Sequence, residues 1–243
     1  MRIPRIHVDS ELEAGAKLAL DASQSHYLKH VLRLKPGAAV RLFDGRDAVD
    51  HAARIEFDGK AALATIEGPL PAAAESSLPS QVLQGLARPD HVDWTLQKAT
   101  ELGVSHVTLF NAARTQTPLK GSRLERKLAH WRGVTISACE QCGRARLPLL
   151  GFQPDLRAAL AAAIPGHRIL LDAGGAPLPS LLARPAAGIA ILLGPEGGLD
   201  AAEIRFARQA GFASASLGPR VLRTETAAVA ALAIAQSCIG DMG

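Results

Sequence analysis

Two glycine-rich turns in the C-terminal part of the chain carry the residues best suited to chemistry. In "ILLGPEGGLDAAEI", residues 191–204, an apolar strand runs into Gly194, Pro195, Glu196, Gly197 and Gly198 and straight on into a helix. In "LGPRVLRTETAAVAALAIAQ", residues 217–236, Gly218 and Pro219 lead to Arg220, Arg223, Thr224 and Glu225 before an almost wholly apolar helix. Ligands of open α/β sheets bind beyond the carboxyl ends of the strands, where both turns fall. Neither turn spells G-x-G-x-x-G or G-x-x-x-x-G-K-[ST]. Phosphate sites converge N–H groups and cations on an anion, and Glu196 would oppose one. A carboxylate there suits a ligand that offers donors or positive charge. S-adenosylmethionine is such a ligand, with ribose hydroxyls, an amino group, a sulfonium and no phosphate. Gly194, Gly197 and Gly198 allow close backbone approach, and Pro195 stiffens the turn. Glu196 equally fits a turn carboxylate that points to solvent or pairs with an arginine.

Local signals fix the helices that follow. Asp200 with Glu203 reads as an N-cap and its capping-box partner. Thr224 reads as the N-cap of the last helix, which is apolar all round and therefore buried. Arg220, Arg223 and Glu225 then mark its wet end, although Arg223 and Glu225 also fit a charge pair around a cap.

The elements that must hold these turns follow from periodicity. From residue 81 onward strand patterns alternate with helix patterns: "QVLQGLA", "DHVDWTLQKATELG", "VSHVTLF", a basic helix from about 122 to 141, "LPLLGF", "PDLRAALAAA", "HRILLDA", "GIAILLG", "DAAEIRFARQAG", "FASASLG" and a last helix from about 225 to 239. Parallel strands need crossover helices, so this is an α/β sheet with helices on both faces. Residues 68–80 are rich in Pro, Gly, Ser and Ala without a hydrophobic period, which makes 71–80 the expected linker. Before it, 1–70 reads as short strands with hairpin dipeptides at Asp44-Gly45 and Asp58-Gly59, a small antiparallel barrel with one helix over "SQSHYLKHVL".

Composition sets the outer bounds. With 48% hydrophobic and 21% charged residues, the 243-residue chain has the balance of a globular protein. It lacks a membrane-length apolar run and an N-terminal apolar block, which points to the cytoplasm. "CEQC" at 139–142 lacks further ligands at zinc-like spacing, so no metal is expected, and its helical setting favours two small residues one turn apart. The formal charge of +4 is concentrated: Arg114, Lys120, Arg123, Arg126, Lys127, Arg132, Arg144 and Arg146 face only Glu125 and Glu140 in the same window. Such a patch fits a polyanion or a solvated helix face.

Taken together, "LLGPEGGLDAAEI" and "LGPRVLRTETA" resemble the RsmE family, the ribosomal RNA small subunit methyltransferases that make 3-methyluridine in 16S rRNA. "HYLKHVLRLKPG" (26–37), "LFDG" (42–45), "DWTLQKATELGV" (93–104) and "ACEQCGRARLP" (138–148) resemble further blocks of that family, in family order over almost the whole chain. The resemblance implies a SPOUT methyltransferase fold over 81–243 with a C-terminal trefoil knot, preceded by a PUA-like RNA-binding barrel over 1–70. It also implies a homodimer acting on the small (30S) subunit. One departure is visible: where the family usually has a lysine in the loop after the first catalytic strand, this chain has Arg88-Pro89-Asp90.

The resemblance implies site residues too. Leu171, Leu193, Gly194, Pro195, Glu196, Gly197, Leu217, Gly218, Val221, Leu222 and Thr226 would hold the cofactor, largely through backbone. His26, Lys29 and Arg33 in the barrel, with Arg88, Arg114, Arg123, Arg126, Arg144 and Arg146, would contact RNA. Uracil N3 must lose a proton to become nucleophilic, so Arg223 is expected to stabilise the charge that spreads onto O2 and O4, and Glu225 to act as base. A ribose 2'-O-methyltransferase would use the same turns, and a non-enzymatic RNA-binding assembly factor could keep them as a relic.

Overall fold

The structure, a computed structural model, describes residues 3–71 and 75–243. The chain divides into two compact units, Met1–Glu75 with Cys139–Leu147, and Ser76–Ala138 with Pro148–Gly243.

The first unit is a five-stranded sheet of β1 (Arg5–His7), β2 (Lys17–Ala19), β3 (Ala38–Phe43), β4 (His51–Asp58) and β5 (Ala61–Pro69), in the order β1-β3-β4-β5-β2. Its pairs are antiparallel except β1 with β3, which is parallel. The expectation of a wholly antiparallel barrel is corrected there, because the long connection from β1 to β3 is enough for a crossover. Alternate residues Val40 and Leu42, Ala53 and Ile55, and Ala64 and Ile66 turn into one core, as the period of two requires. Asp58-Gly59 forms the β4–β5 hairpin, with Gly59 at φ +58°. Helix α1 (Ala22–His26) starts at a capping box made by Asp21 and Gln24 and continues as a π-helical turn over Tyr27–Val31, with Leu28 buried.

Residues 139–147, expected with the second unit, pack with the first. Arg5 explains why. Its guanidinium makes two hydrogen bonds to Asp50, at 2.9 and 2.7 Å, and donates to the carbonyls of Cys139 and Arg144. Glu140 accepts from the His7 N–H at 3.1 Å, and Phe43 packs with Cys139 and Ala145. The expected linker is also shorter than 71–80. Residues 72–74 lie outside the described residues, but Glu75 accepts from Arg144 Nε at 2.9 Å and from the Ala145 and Arg146 N–H groups. Leu78 is buried, and the next strand begins at Ser80.

The second unit is a six-stranded sheet of β6 (Ser80–Gly85), β7 (His106–Phe110), β8 (Leu149–Gln153), β9 (His167–Pro177), β10 (Ile189–Leu193) and β11 (Ala213–Ser216). The order is β11-β9-β10-β6-β7-β8, and every pair is parallel. Helices α2 (Pro89–Glu101), α3 (Gly121–Cys142), α4 (Leu156–Ala161), α5 (Leu178–Leu181), α6 (Ala201–Gln209) and α7 (Thr224–Ile239) cover it. Strand periodicity splits the core: Ile189, Ile191 and Leu193 join the α2, α3, α5 and α7 side, while Ala190 and Leu192 join the α4 and α6 side. β10 lies between β9 and β6, and β11 then pairs on the outer side of β9. This reversal of strand order is where an open α/β sheet opens a ligand crevice.

Candidate active site

The two glycine turns leave β10 and β11 at that reversal, and a hydrogen bond joins them. The Thr224 hydroxyl donates to the Gly194 carbonyl at 2.8 Å. Thr224 is thus the first residue of α7 and ties the turns together, whereas the N-cap is Arg223, which makes no side-chain cap. The expected Thr224 cap is corrected accordingly. Asp200 and Glu203 do form the capping box of α6, and Glu203 also accepts from the Ala113 N–H at 2.8 Å.

Close approach governs the first turn. A Cβ on Gly194 would sit 2.6 Å from the Gly198 carbonyl carbon and the Leu199 nitrogen, and one on Gly85 would sit 2.5 Å from Pro195 Cδ. A side chain on Gly85 would push the turn off the end of β6, and one on Gly194 would force the turn itself open. Gly218 opens the second turn at φ +103°, a conformation that favours glycine. Val221 is 97% exposed there, an apolar side chain left standing in solvent. Leu193 and Pro195 are buried, Leu171, Leu217 and Leu222 are half-buried, and Gly197, Gly218 and Thr226 are exposed.

Glu196 turns toward the N-terminus of α2. Its Oε1 accepts from the Arg88 backbone N–H at 2.8 Å and lies 2.8 Å from His91 Nδ1. Burial alone would push this carboxyl up; the N–H groups of Arg88 and of Glu196 itself, together with His91, outweigh that and hold it below the ordinary carboxylate value. Glu225 meets the same imidazole. Its Oε2 is buried without a hydrogen-bond partner and lies 3.4 Å from His91 Nδ1. Both carboxylates thus face the same ring nitrogen, which serves them as donor in the tautomer with hydrogen on Nδ1. Nε2 lies 3.8 Å from Asp90. A buried carboxylate with a free lone pair beside an imidazole is an arrangement that can accept and pass on a proton.

His91 was not among the residues expected from sequence. The available signal was its place: "RPDH" opens a helix directly after β6, at the ligand edge of the sheet. Glu225, in contrast, is where the sequence put a base, and it makes no capping contact.

The expected RNA-contacting residues divide by burial. Arg144 is 5% exposed and paired with Glu75 at 2.9 Å, so it holds residues 139–147 on the first unit and is not a surface phosphate contact. Charge counting along the chain does not register burial. His26 and Arg33 are exposed; Lys29 is half-buried over the Phe57 ring and donates to the Gly59 carbonyl. Arg146 is exposed, with Nε donating to the Arg46 carbonyl. In the second unit Arg88, Arg114, Arg123 and Arg126 are exposed, and Arg114 Nη1 donates to the Gly197 carbonyl at 2.8 Å.

Of the three cysteines, Cys139 is buried and Cys238 exposed. Burial pushes the Cys139 thiol up to about 12, which keeps it protonated and unreactive. No group of His, Cys, Asp and Glu among the described residues is arranged to hold a metal, and no described helix is long and apolar enough to cross a membrane.

Comparison with known proteins agrees with these features. Residues 74–236 match the RNA methyltransferase domain family and residues 20–67 the RNA methyltransferase PUA domain family. A crystal structure of a ribosomal RNA small subunit methyltransferase E from Neisseria gonorrhoeae, bound to S-adenosylmethionine, superposes with a TM-score of 0.90 at 33% identity, over 100% of both chains. The protein of the same name from Buchnera aphidicola is 28% identical over 99% of this chain and 98% of its own. The Mycobacterium bovis protein is 29% identical over 93% of this chain and 88% of its own.

Proposed function

The chain belongs to the ribosomal RNA small subunit methyltransferase E family, and from that premise we propose that it transfers a methyl group from S-adenosylmethionine to N3 of a uridine in 16S rRNA. The observation that carries this reading is the Glu196–His91–Glu225 cluster at the mouth of two joined glycine turns. In this reading the backbone of Leu193, Gly194, Gly197, Leu217, Gly218, Val221 and Leu222 holds the cofactor with Leu171 against the adenine, supported by a first turn too tight for a side chain at Gly194 and a second in which Gly218 takes φ +103° and Val221 stands exposed. When bound, S-adenosylmethionine supplies an electrophilic methyl group on a sulfonium.

The chain's own residues handle the proton and the charge. Uracil N3 attacks only as its proton leaves, and Glu225 Oε2 receives that proton. His91 Nδ1 stands between the carboxylates of Glu225 and Glu196, and exposed Glu196 opens the cluster to water. Arg223, two residues from Glu225 at the start of α7, stabilises the charge that develops on O2 and O4. Most of the acceleration comes from holding the acceptor at about 3 to 3.5 Å from the methyl group.

The RNA is held by His26, Lys29, Arg33 and Arg146 on the first unit and by Arg88, Arg114, Arg123 and Arg126 on the second. The same reading includes a homodimer, a trefoil-knotted C-terminal segment, the 30S subunit as partner and a cytoplasmic setting. The test is transfer of labelled methyl from S-adenosylmethionine to 30S subunits lacking the modification, followed by nucleoside analysis of the 16S rRNA. Label in 3-methyluridine supports the reading. Label in a 2'-O-methyl nucleoside overturns the acceptor atom, and no label with RNA still bound overturns the enzyme.

A further inference from the structure

A cavity of about 300 Å³ lies beside the cofactor turns in the second unit, and its wall combines two kinds of residue. Leu86, Val92, Leu119 and Trp131 give an apolar floor; Arg88, Arg123 and Lys127 stand at its rim. Helix spacing explains the arrangement. Arg123, Lys127 and Trp131 follow one another at four-residue intervals along α3, so one face of this helix presents two cations and then an indole. Trp131 is 2% exposed and serves as floor. Arg88, Arg123 and Lys127 have no ion pair among the described residues.

An apolar slot with unpaired cations at its mouth suits a flat heterocycle that carries a phosphate. The neighbourhood narrows the occupant further. Of the residues around the cavity only Glu196 belongs to the glycine turns; Gly194, Leu217, Gly218, Val221 and Leu222 do not reach it. The cavity shares Glu196 with the first turn, and Glu196 meets the imidazole that also faces Glu225, so a methyl acceptor seated here borders the carboxylate cluster while Glu225 and Arg223 stand outside the wall. Nucleotides modified within folded RNA are turned out of the stack into such a pocket.

We propose that this cavity seats the target nucleotide of the RNA, its base between Leu86, Leu119 and Trp131 and its phosphates on Arg88, Arg123 and Lys127. This rests on the methyltransferase reading above. It assigns to Arg123 and Lys127 a local role at the acceptor that their neighbours Lys120 and Arg126, absent from the cavity wall, do not share.

The chain has two tryptophans, and Trp94 is the exposed one. A Trp94→Phe protein thus reports on Trp131 alone. Titration with uridine 5'-monophosphate is expected to change Trp131 emission saturably, and Arg123→Ala with Lys127→Ala to weaken that binding at least tenfold. On 30S substrate, the same pair is expected to raise KM for RNA at least tenfold with S-adenosylmethionine affinity unchanged. It should lower the log–log salt slope by roughly 0.7 to 0.9 per phosphate contact removed, while Lys120→Ala leaves KM near wild type. If S-adenosylmethionine itself changes Trp131 emission and the double variant weakens its binding, the cavity belongs to the cofactor and the proposal is overturned. Wild-type KM in the double variant, or no emission change with the monophosphate, overturns it as well. These results are distinct from a failure of the underlying reading, in which the unaltered protein transfers no methyl group to rRNA.

Discussion

Replacing Gly194 by alanine tests the packing of the first turn directly. The added Cβ would stand 2.6 Å from the Gly198 carbonyl carbon and the Leu199 nitrogen and 2.9 Å from Gly198 Cα. All three are backbone atoms, so no side-chain rotation relieves the clash. To restore ordinary contact at 3.4 Å the turn has to open by the difference between those distances. Overpacking of this kind costs about 1 to 3 kcal/mol. If the strain is relieved in the free protein and has to be re-imposed on binding, that cost appears as roughly 5- to 150-fold weaker S-adenosylmethionine affinity. Isothermal titration gives the affinity, and a thermal melt of the free protein shows how much of the cost falls on folding instead. Gly197→Ala is the control: its Cβ would lie 3.4 Å from Arg114 Cβ, a side chain that can give way, and its effect should be several-fold smaller. Wild-type affinity together with an unchanged melting temperature in Gly194→Ala would refute the reasoning.

Four further outcomes are expected. Glu225→Gln should lower methyl transfer by about 10² to 10⁴ with cofactor affinity intact, measured by single-turnover transfer; wild-type turnover would remove Glu225 as the base. Asp50→Ala strips the buried Arg5 of its 2.7 Å partner and should cost about 3 to 5 kcal/mol in urea unfolding of the first unit, whereas a loss under 1 kcal/mol would mean that Arg5 finds water. Glu196 has a folded-state carboxyl held below its ordinary value, so it adds stability above the ordinary carboxylate range that disappears as pH falls through the lowered value. Melting curves across the acid range should therefore flatten in Glu196→Gln. Cys139, with its thiol raised to about 12, should resist alkylation near neutral pH while exposed Cys238 reacts, as mass spectrometry of the folded protein would show.

What the sequence revealed and what it hid follow a physical divide. The strands and helices of the second unit were legible because their periods are strong, and the α6 capping box because it is local. Glu225 stood out in the sequence because it opens an apolar helix, and the structure sets its Oε2 3.4 Å from His91 Nδ1. His91 was hidden: it is 105 residues from Glu196 in the chain, and nothing in its own neighbourhood distinguishes it from a surface histidine. Arg144 misled because a basic residue in a basic segment looks solvated, and only the distant Glu75 makes it a buried pair. The boundary at 139–147 misled for a related reason, since Arg5 holds this segment on the first unit from 134 residues away.

The candidate site depends on strand register more than on any single side chain. Leu193 at the end of β10 stands opposite Gln84 near the end of parallel β6, so the two chains leave the same sheet edge side by side. A few residues on, Glu196 reaches the Arg88 N–H and His91 at the start of α2, and the Thr224 hydroxyl brings α7, with Glu225, to Gly194. Three segments remote in sequence thus meet because β10 is inserted beside β6, with β11 closing on the far side of β9. Of the two carboxylates and the imidazole, Glu196 is tied to that edge by the Arg88 backbone N–H, and His91 and Glu225 follow from the starts of α2 and α7. Small shifts of the turn therefore move Glu196 away from His91 without altering either residue, which is why Gly85 and Gly194, with no side chains of their own, set the geometry of the cluster.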